Sequence, residues 1–281
     1  MRIAHLILAH KNPLQLEHLI NSLEHPYCDC YIHLDKKTAI DDFLYLSEKK
    51  NIFFISNRIS IHWAGYGTIQ ATLNGFTEII KTERYSYINV ISAQDLPLQP
   101  ASKIYEFIKH RPGKEFITCE NVETEWAEAK PRIKKYHLIN WRIPGKYRLE
   151  KLVNLVLPER NPPLGLTIVG RANWFTITLP AAIYILTFIN KHPSYIRFFK
   201  YCWGADEFFF STILYNSGFK SQIENNLVYV DWTEAKNGHP KVFTTKDYNQ
   251  LITSGKLFAR KFDMITDPGI FELLADWRRH Q

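Results

Sequence analysis

Short apolar runs alternate with stretches of helical spacing through the first hundred residues. Residues 3–9 are apolar except for His5, the pattern of a strand covered on both faces. Asn12-Pro13 follows as a turn and helix start, and residues 14–23 repeat apolar positions at helical spacing. Residues 30–35 read as a second strand ending in a carboxylate, 40–49 as a second helix and 52–55 as a third strand. Residues 68–81 form a longer amphipathic helix, and 87–92 a fourth strand running into Ala93-Gln94-Asp95. This alternation predicts an α/β fold with a mainly parallel central sheet flanked by helices. Ligands of such sheets collect beyond the carboxyl ends of the strands, where His10, Asp35 and Asp95 fall. One Asp there is equally well a loop cap, but three polar residues on one rim point to a site.

The second half is less regular. Residues 111–163 are rich in charge and Pro, with a basic run at 130–135 and a break at Asn161-Pro162-Pro163, and predict a mobile excursion with few strands. Strands return at 166–169 and 174–178 around Gly170, followed by helices at 180–190 and 206–215. No repeat or Gly/Ser linker divides the 281 residues, so one domain is expected, with residues 1–110 and 111–281 as its two halves.

Composition changes this picture in only two ways. Lys and Arg number 35 against 28 Asp and Glu, a net charge of +7 that favours anionic partners. Four cysteines without a C-x-x-C pair argue against a disulfide scaffold or zinc site, and a reducing compartment follows. The opening apolar stretch is too short and polar for a signal peptide, and no window reaches the roughly 18 apolar residues of a membrane span.

Neither a Gly-x-Gly-x-x-Gly nor a Walker loop follows the first strand, and no Asp-x-Asp occurs anywhere, so a bound diphosphate would be neutralised by side chains. Arg260 and Lys261, set between Phe258 and Phe262, are either an ordinary solvated pair or the stabiliser of an anionic leaving group. Asp206 suits a helix cap and Glu207 its first turn, beside three consecutive Phe; a carboxylate in such surroundings can instead have a raised pKa and act as a base. Trp63 and Tyr66, with Gly65 and Gly67, read as a turn with packed aromatics or as a stacking platform for a base or sugar.

In order along the chain, His5 to His10, Tyr31 to Lys36, Trp63 to Tyr66, Asn89 to Leu98, Gly170 to Phe175, Ala205 to Glu207 and Leu257 to Phe262 resemble the motifs of the core-2/I-branching β-1,6-N-acetylglucosaminyltransferase family, which includes the peptide O-xylosyltransferases. The resemblance implies a GT-A-like fold and inverting transfer of a sugar, GlcNAc or xylose, from a UDP-sugar to a hydroxyl of a glycan or glycolipid, with no divalent metal. It places His10, Asp35, Trp63, Gly65, Tyr66 and Asp95 on the donor, with Asp35 at the uracil and Asp95 at the sugar. It further places Arg260 and Lys261 on the diphosphate, Asn173 and Trp174 at the acceptor, and Glu207 as the base. Asn173 stands where the peptide xylosyltransferases carry Asp; Asn cannot serve as a base at neutral pH, so that role moves to Glu207. A cytoplasmic location fits, with peripheral contact at the inner face of an anionic membrane through residues 130–135 and Arg148 as an extension. The rivals are a basic nucleic-acid module, which lacks any helix-turn-helix, RNP or zinc-finger signature, and a degenerate transferase that binds sugar nucleotide without turnover. Nucleic acid is not the expected partner.

Overall fold

In the computed structural model, which describes residues 1–235 and 238–281, β1 (Ile3–Ala9) and β2 (Cys28–Leu34) lie side by side and parallel, every residue of both being buried. A strand covered on both faces cannot alternate polar and apolar positions, which is why β1 reads as a nearly continuous apolar run. Between them α1 (Pro13–Ser22) crosses over, with Pro13 at its first position and the Asn12 side chain accepting a hydrogen bond from the Gln15 amide at 3.0 Å. Asp41–Glu48 winds as a 3₁₀ helix where the sequence predicts an α-helix. Its two buried residues, Phe43 and Leu46, are three apart, and side chains at that spacing eclipse one another in a 3₁₀ turn.

β3 (Ile52–Phe54) adds to β2, α2 (Gly67–Ile80) packs across β1 and β2, and β4 (Tyr87–Ser92) returns to the free side of β1. The helix comes so close to the sheet that a Cβ on Gly75 would stand 2.5 Å from both Leu6 methyl carbons. After β5 (Asp95–Pro97) and α3 (Ala101–Lys109) come the two-residue strands β6 (Glu115–Phe116) and β7 (Glu120–Asn121), then α4 (Lys130–Lys134) and α5 (Lys146–Val156). β8 (Val169–Gly170), β9 (Phe175–Thr178), α6 (Leu179–Lys191), α7 (Pro193–Phe199) and α8 (Phe209–Tyr215) follow, then β10 (Ile223–Glu224) and β11 (Val228–Val230). The chain continues through α9 (Tyr248–Thr253), β12 (Phe258–Arg260) and α10 (Gly269–Arg279).

The main sheet has seven strands in the order β10-β6-β9-β4-β1-β2-β3, parallel from β4 to β3 with β9 running antiparallel between β4 and β6. Helices flank this mainly parallel sheet, the α/β class expected. Thr178 locks the mixed end: its amide and hydroxyl donate to Glu115 at 2.8 and 2.6 Å, and its oxygen caps α6 at the Ala181 amide. A smaller sheet, β11-β12-β5, sets β12 antiparallel to β5 and places Arg260 opposite Asp95. Buried apolar residues from Ile3 to Leu274 form one contiguous cluster.

The excursion at 111–163, expected to be mobile, is pinned at its end. Arg160 is buried, and its guanidinium donates to the carbonyls of Ile133, Lys135, Tyr201 and Phe198. A charge in a Pro-rich stretch is thus a tether, because a buried guanidinium needs its donors satisfied. No helix among the described residues is long and apolar enough to cross a membrane.

Gly75→Ala should lower stability by roughly 1–3 kcal/mol through overpacking against Leu6, although Ala is the better helix former. A urea midpoint equal to or above that of the parent protein would show that the helix can retreat from the sheet.

Candidate active site

Because β1, β2 and β4 are parallel and in register, their carboxyl ends open on one side, and a cavity of about 550 Å³ lies there. His10 and Asp35 line it. The Asp35 amide donates to the Ala9 carbonyl at 2.8 Å, while its carboxylate accepts from the Lys37 amide at 2.9 Å and the Ile61 amide at 3.1 Å. One buried carboxylate therefore ties the two loops that border this end of the cavity. Burial, then the charges of Lys11 and Lys261, lower the pKa of His10 and leave it neutral at pH 7.

Trp63 and Ala64 also line the cavity, the Trp63 ring standing edge-on to Trp203 with centroids 5.1 Å apart and 5.4 Å from His239. Ala64 adopts φ 58°, and its carbonyl accepts from the Gly204 amide at 2.8 Å. Gly65 and Tyr66, expected on the donor, do not line the cavity. A Cβ on Gly65 would stand 2.8 Å from Asn140 Oδ1, the same atom that accepts from the Tyr66 amide at 2.9 Å, and the Tyr66 ring is buried edge-on to Phe209. They shape the loop that presents Trp63 and make no wall of their own.

Asp95 departs from its expected place as well. It is wholly buried beneath the cavity, accepting from the Ser92 amide at 2.9 Å and pairing with Arg260 at 3.2 Å. Burial pushes its pKa up to about 6 against the opposing pull of Arg260. The Arg260 guanidinium in turn lies 4.7 Å from the centroid of the Trp174 ring. Trp174 is therefore the platform under Arg260 as well as part of the wall. Lys261, half-buried beside it, has its pKa lowered by burial and by Arg260, and makes no salt bridge among the described residues. Two cations at the end of β12 thus face the cavity with only one carboxylate bound to them.

Across the cavity, Ala205–Glu207 forms a 3₁₀ turn before α8. Asp206 caps no helix; its Oδ2 accepts from Asn173 Nδ2 at 2.7 Å, and burial raises its pKa. Phe208, Phe209 and Phe210 turn into the core, while Glu207 faces the cavity. Glu207 Oε2 accepts from Arg132 Nη2 at 2.7 Å, and Oε1 has no protein partner among the described residues. Burial raises Glu207 to about 7, with Arg132 pulling it down. Behind the turn a Cβ on Gly170 would collide with the Glu207 carbonyl oxygen, which also accepts from the Arg171 amide at 3.1 Å.

Arg132 is the residue the basic run concealed. Its guanidinium lies 5.0, 4.7 and 4.8 Å from the rings of Trp126, Trp203 and Phe208 and faces inward to Glu207. Lys130 and Lys134 of the same run pair with Glu123 and Glu159. Trp203, Trp232 and His239 complete the wall and carry no local signal beyond being aromatic. Among the described residues no three His, Cys, Asp or Glu side chains are grouped to hold a metal ion.

The Core-2/I-Branching enzyme family model matches residues 3–253. Xylosyltransferase oxt of Drosophila melanogaster is 23% identical over 99% of this chain, and Xylosyltransferase 2 of Rattus norvegicus 24% identical over 98%. The chain spans about a third of the length of these relatives, 33% in each case. The human N-acetyllactosaminide β-1,6-N-acetylglucosaminyl-transferase is 24% identical over 97% of this chain and 71% of its own length. Mouse xyloside xylosyltransferase 1 aligns in structure over 92% of this chain and 97% of its own, with a TM-score of 0.38 and 12% identity. With the match running from residue 3 to residue 253, most of its length, the chain belongs to the Core-2/I-branching enzyme family.

Proposed function

We propose that the protein is a metal-independent, inverting glycosyltransferase that moves GlcNAc or xylose from a UDP-sugar to a hydroxyl of a glycan acceptor. The observation that carries this reading is Glu207, one oxygen held by Arg132 and the other without a partner among the described residues, on the same cavity as Arg260 and Lys261. The cavity volume, about 550 Å³, is within the usual range for a small-molecule site. Family membership supports sugar transfer, and relatives of both kinds named above support the two donor sugars.

The chemistry is a single displacement. The acceptor hydroxyl oxygen attacks the anomeric carbon as Glu207 Oε1 takes its proton, and the bond from that carbon to the β-phosphate oxygen breaks with its electron pair passing to UDP. Arg260, fixed by Asp95 and Trp174, and Lys261 offset the negative charge that develops on the diphosphate, the work a divalent metal would otherwise do. Asp35 keeps lone pairs beyond its two backbone contacts for the uracil edge, and Trp63 offers an exposed ring for stacking. Asp95 acts one step back, as the positioning residue for Arg260.

UDP should raise the melting temperature of the purified protein equally with and without EDTA, and Lys261→Ala should weaken UDP binding about tenfold or more. No shift with UDP or any UDP-sugar at millimolar concentration would sink the donor site and return the basic charge to nucleic acid or membrane. Glu207→Gln should cut turnover by about 10²–10⁴-fold and spare UDP affinity; if Asp206→Asn does so instead, the base is Asp206. Because the base must be ionised, turnover should fall as pH drops through about 7, the pKa of Glu207. Arg132 holds that carboxylate ionised, so Arg132→Met should move the acid limb of the pH–rate profile to higher pH, and an unmoved limb would remove Arg132 from the role.

A further inference from the structure

We infer that the outward face of α5 docks the protein on an anionic membrane surface. At about 100° per residue, Leu149, Leu152, Leu155 and Val156 share one arc of the helix, and they are 36%, 56%, 81% and 70% exposed. No residue of α5 is buried. The helix is attached to the body by polar groups: Glu150 accepts from the Leu138 amide at 2.8 Å and lies 3.4 Å from His137, and Asn154 bonds both backbone groups of Tyr136 at 2.8 Å. Its usual sidedness is therefore inverted, with the polar side inward and the apolar side out. Arg148 and Lys151 are exposed among the leucines, while Glu150, the one carboxylate of the helix, is turned to the protein. The loop before the helix adds Trp141 and Ile143, each 43% exposed.

Leucine with interleaved Lys and Arg is the composition of a helix lying in the headgroup layer of a bilayer, where apolar side chains enter the acyl boundary and cations meet lipid phosphates. A second copy of the chain is the poorer occupant, since a two-fold contact through this face would bring Arg148 and Lys151 into one interface with the partner's cations while Glu150, the one carboxylate of the helix, is turned away. Of the cations at residues 130–135, Lys130 and Lys134 are paired with carboxylates and Arg132 is turned inward, which leaves Lys135 alone exposed without a salt bridge among the described residues. The docked face is also coupled to the cavity: just ahead of α5, Asn140 accepts from the Tyr66 amide and Arg142 bonds His62 in the loop that carries Trp63. A docked α5 would hold the cavity near the lipid headgroups, where a glycolipid hydroxyl would be presented. That last consequence rests on the transferase reading; the docking does not.

The test is sedimentation of the full chain with vesicles of phosphatidylcholine containing phosphatidylglycerol, and with phosphatidylcholine alone. Binding to the anionic vesicles, weakening with salt, is expected. A Leu152→Glu/Leu155→Glu variant should lose at least tenfold in binding with an unchanged melting temperature, because neither side chain supports the core. Arg148→Ser/Lys151→Ser should lose about fivefold per cation on the anionic vesicles alone. The inference is overturned if the parent protein ignores anionic vesicles or if both variants bind like the parent. It is likewise overturned if the leucine variant dissolves a vesicle-independent dimer and no vesicle binding is found. Binding and UDP-induced stabilisation are read separately, so loss of one leaves the other standing.

Discussion

A half-buried guanidinium, paired with a wholly buried carboxylate at the junction of two sheets, is the constraint on which the site depends. Arg260 ends β12, and the antiparallel pairing of β12 with β5 delivers it to Asp95, itself fixed by the turn that leaves β4. Neither charge could stay in that place alone, since a buried ion deprived of its partner is far costlier than the pair. The main sheet, the C-terminal strand and the cation that faces the cavity are thereby made into one unit. Trp174 extends the unit to the loop after β8 by lying under the same guanidinium.

The opposite wall repeats this logic with the roles exchanged. There the carboxylate, Glu207, faces the cavity and the cation, Arg132, is the support, boxed by Trp126, Trp203 and Phe208. Glu207 and Arg260 each have a single ionic partner among the described residues, and each pair has its guanidinium against an aromatic surface. Such groups are oriented before any ligand arrives, so little reorganisation remains for the moment of reaction. The cavity is polarised as a result, with cations along the end of β12 and carboxylates on the turn before α8.

The first four strands were legible because a strand covered by its neighbours is written mostly in apolar residues, most fully in β1, while β2 and β4 carry Asp29, His33 and Asn89 within the run. The rim position of His10 and Asp35 followed from that alone. Asp95 looked the same in sequence, at a strand end, yet turns inward; what decides it is Arg260, 165 positions away, and local pattern carries no trace of such a pairing. Arg132 was hidden for a different reason. Inside a run of six residues with four cations it reads as solvated charge, and only the aromatic rings that the fold gathers from residues 126, 203 and 208 show otherwise. The strands β6, β7 and β10 have two residues each, too short for any periodicity, and exist because neighbours from distant segments complete their hydrogen bonds.

Gly170 bears on how such a site can diverge. Its backbone lies against the carbonyl of Glu207 with no room for a side chain, and Arg171 donates to that same carbonyl. The segment carrying Asn173 and Trp174 and the turn carrying Glu207 must therefore shift together or not at all. A lineage that remodels the first to accept a bulkier partner drags the second with it, so new specificity is more readily built from Trp232 and His239, which no hydrogen bond ties to that turn among the described residues.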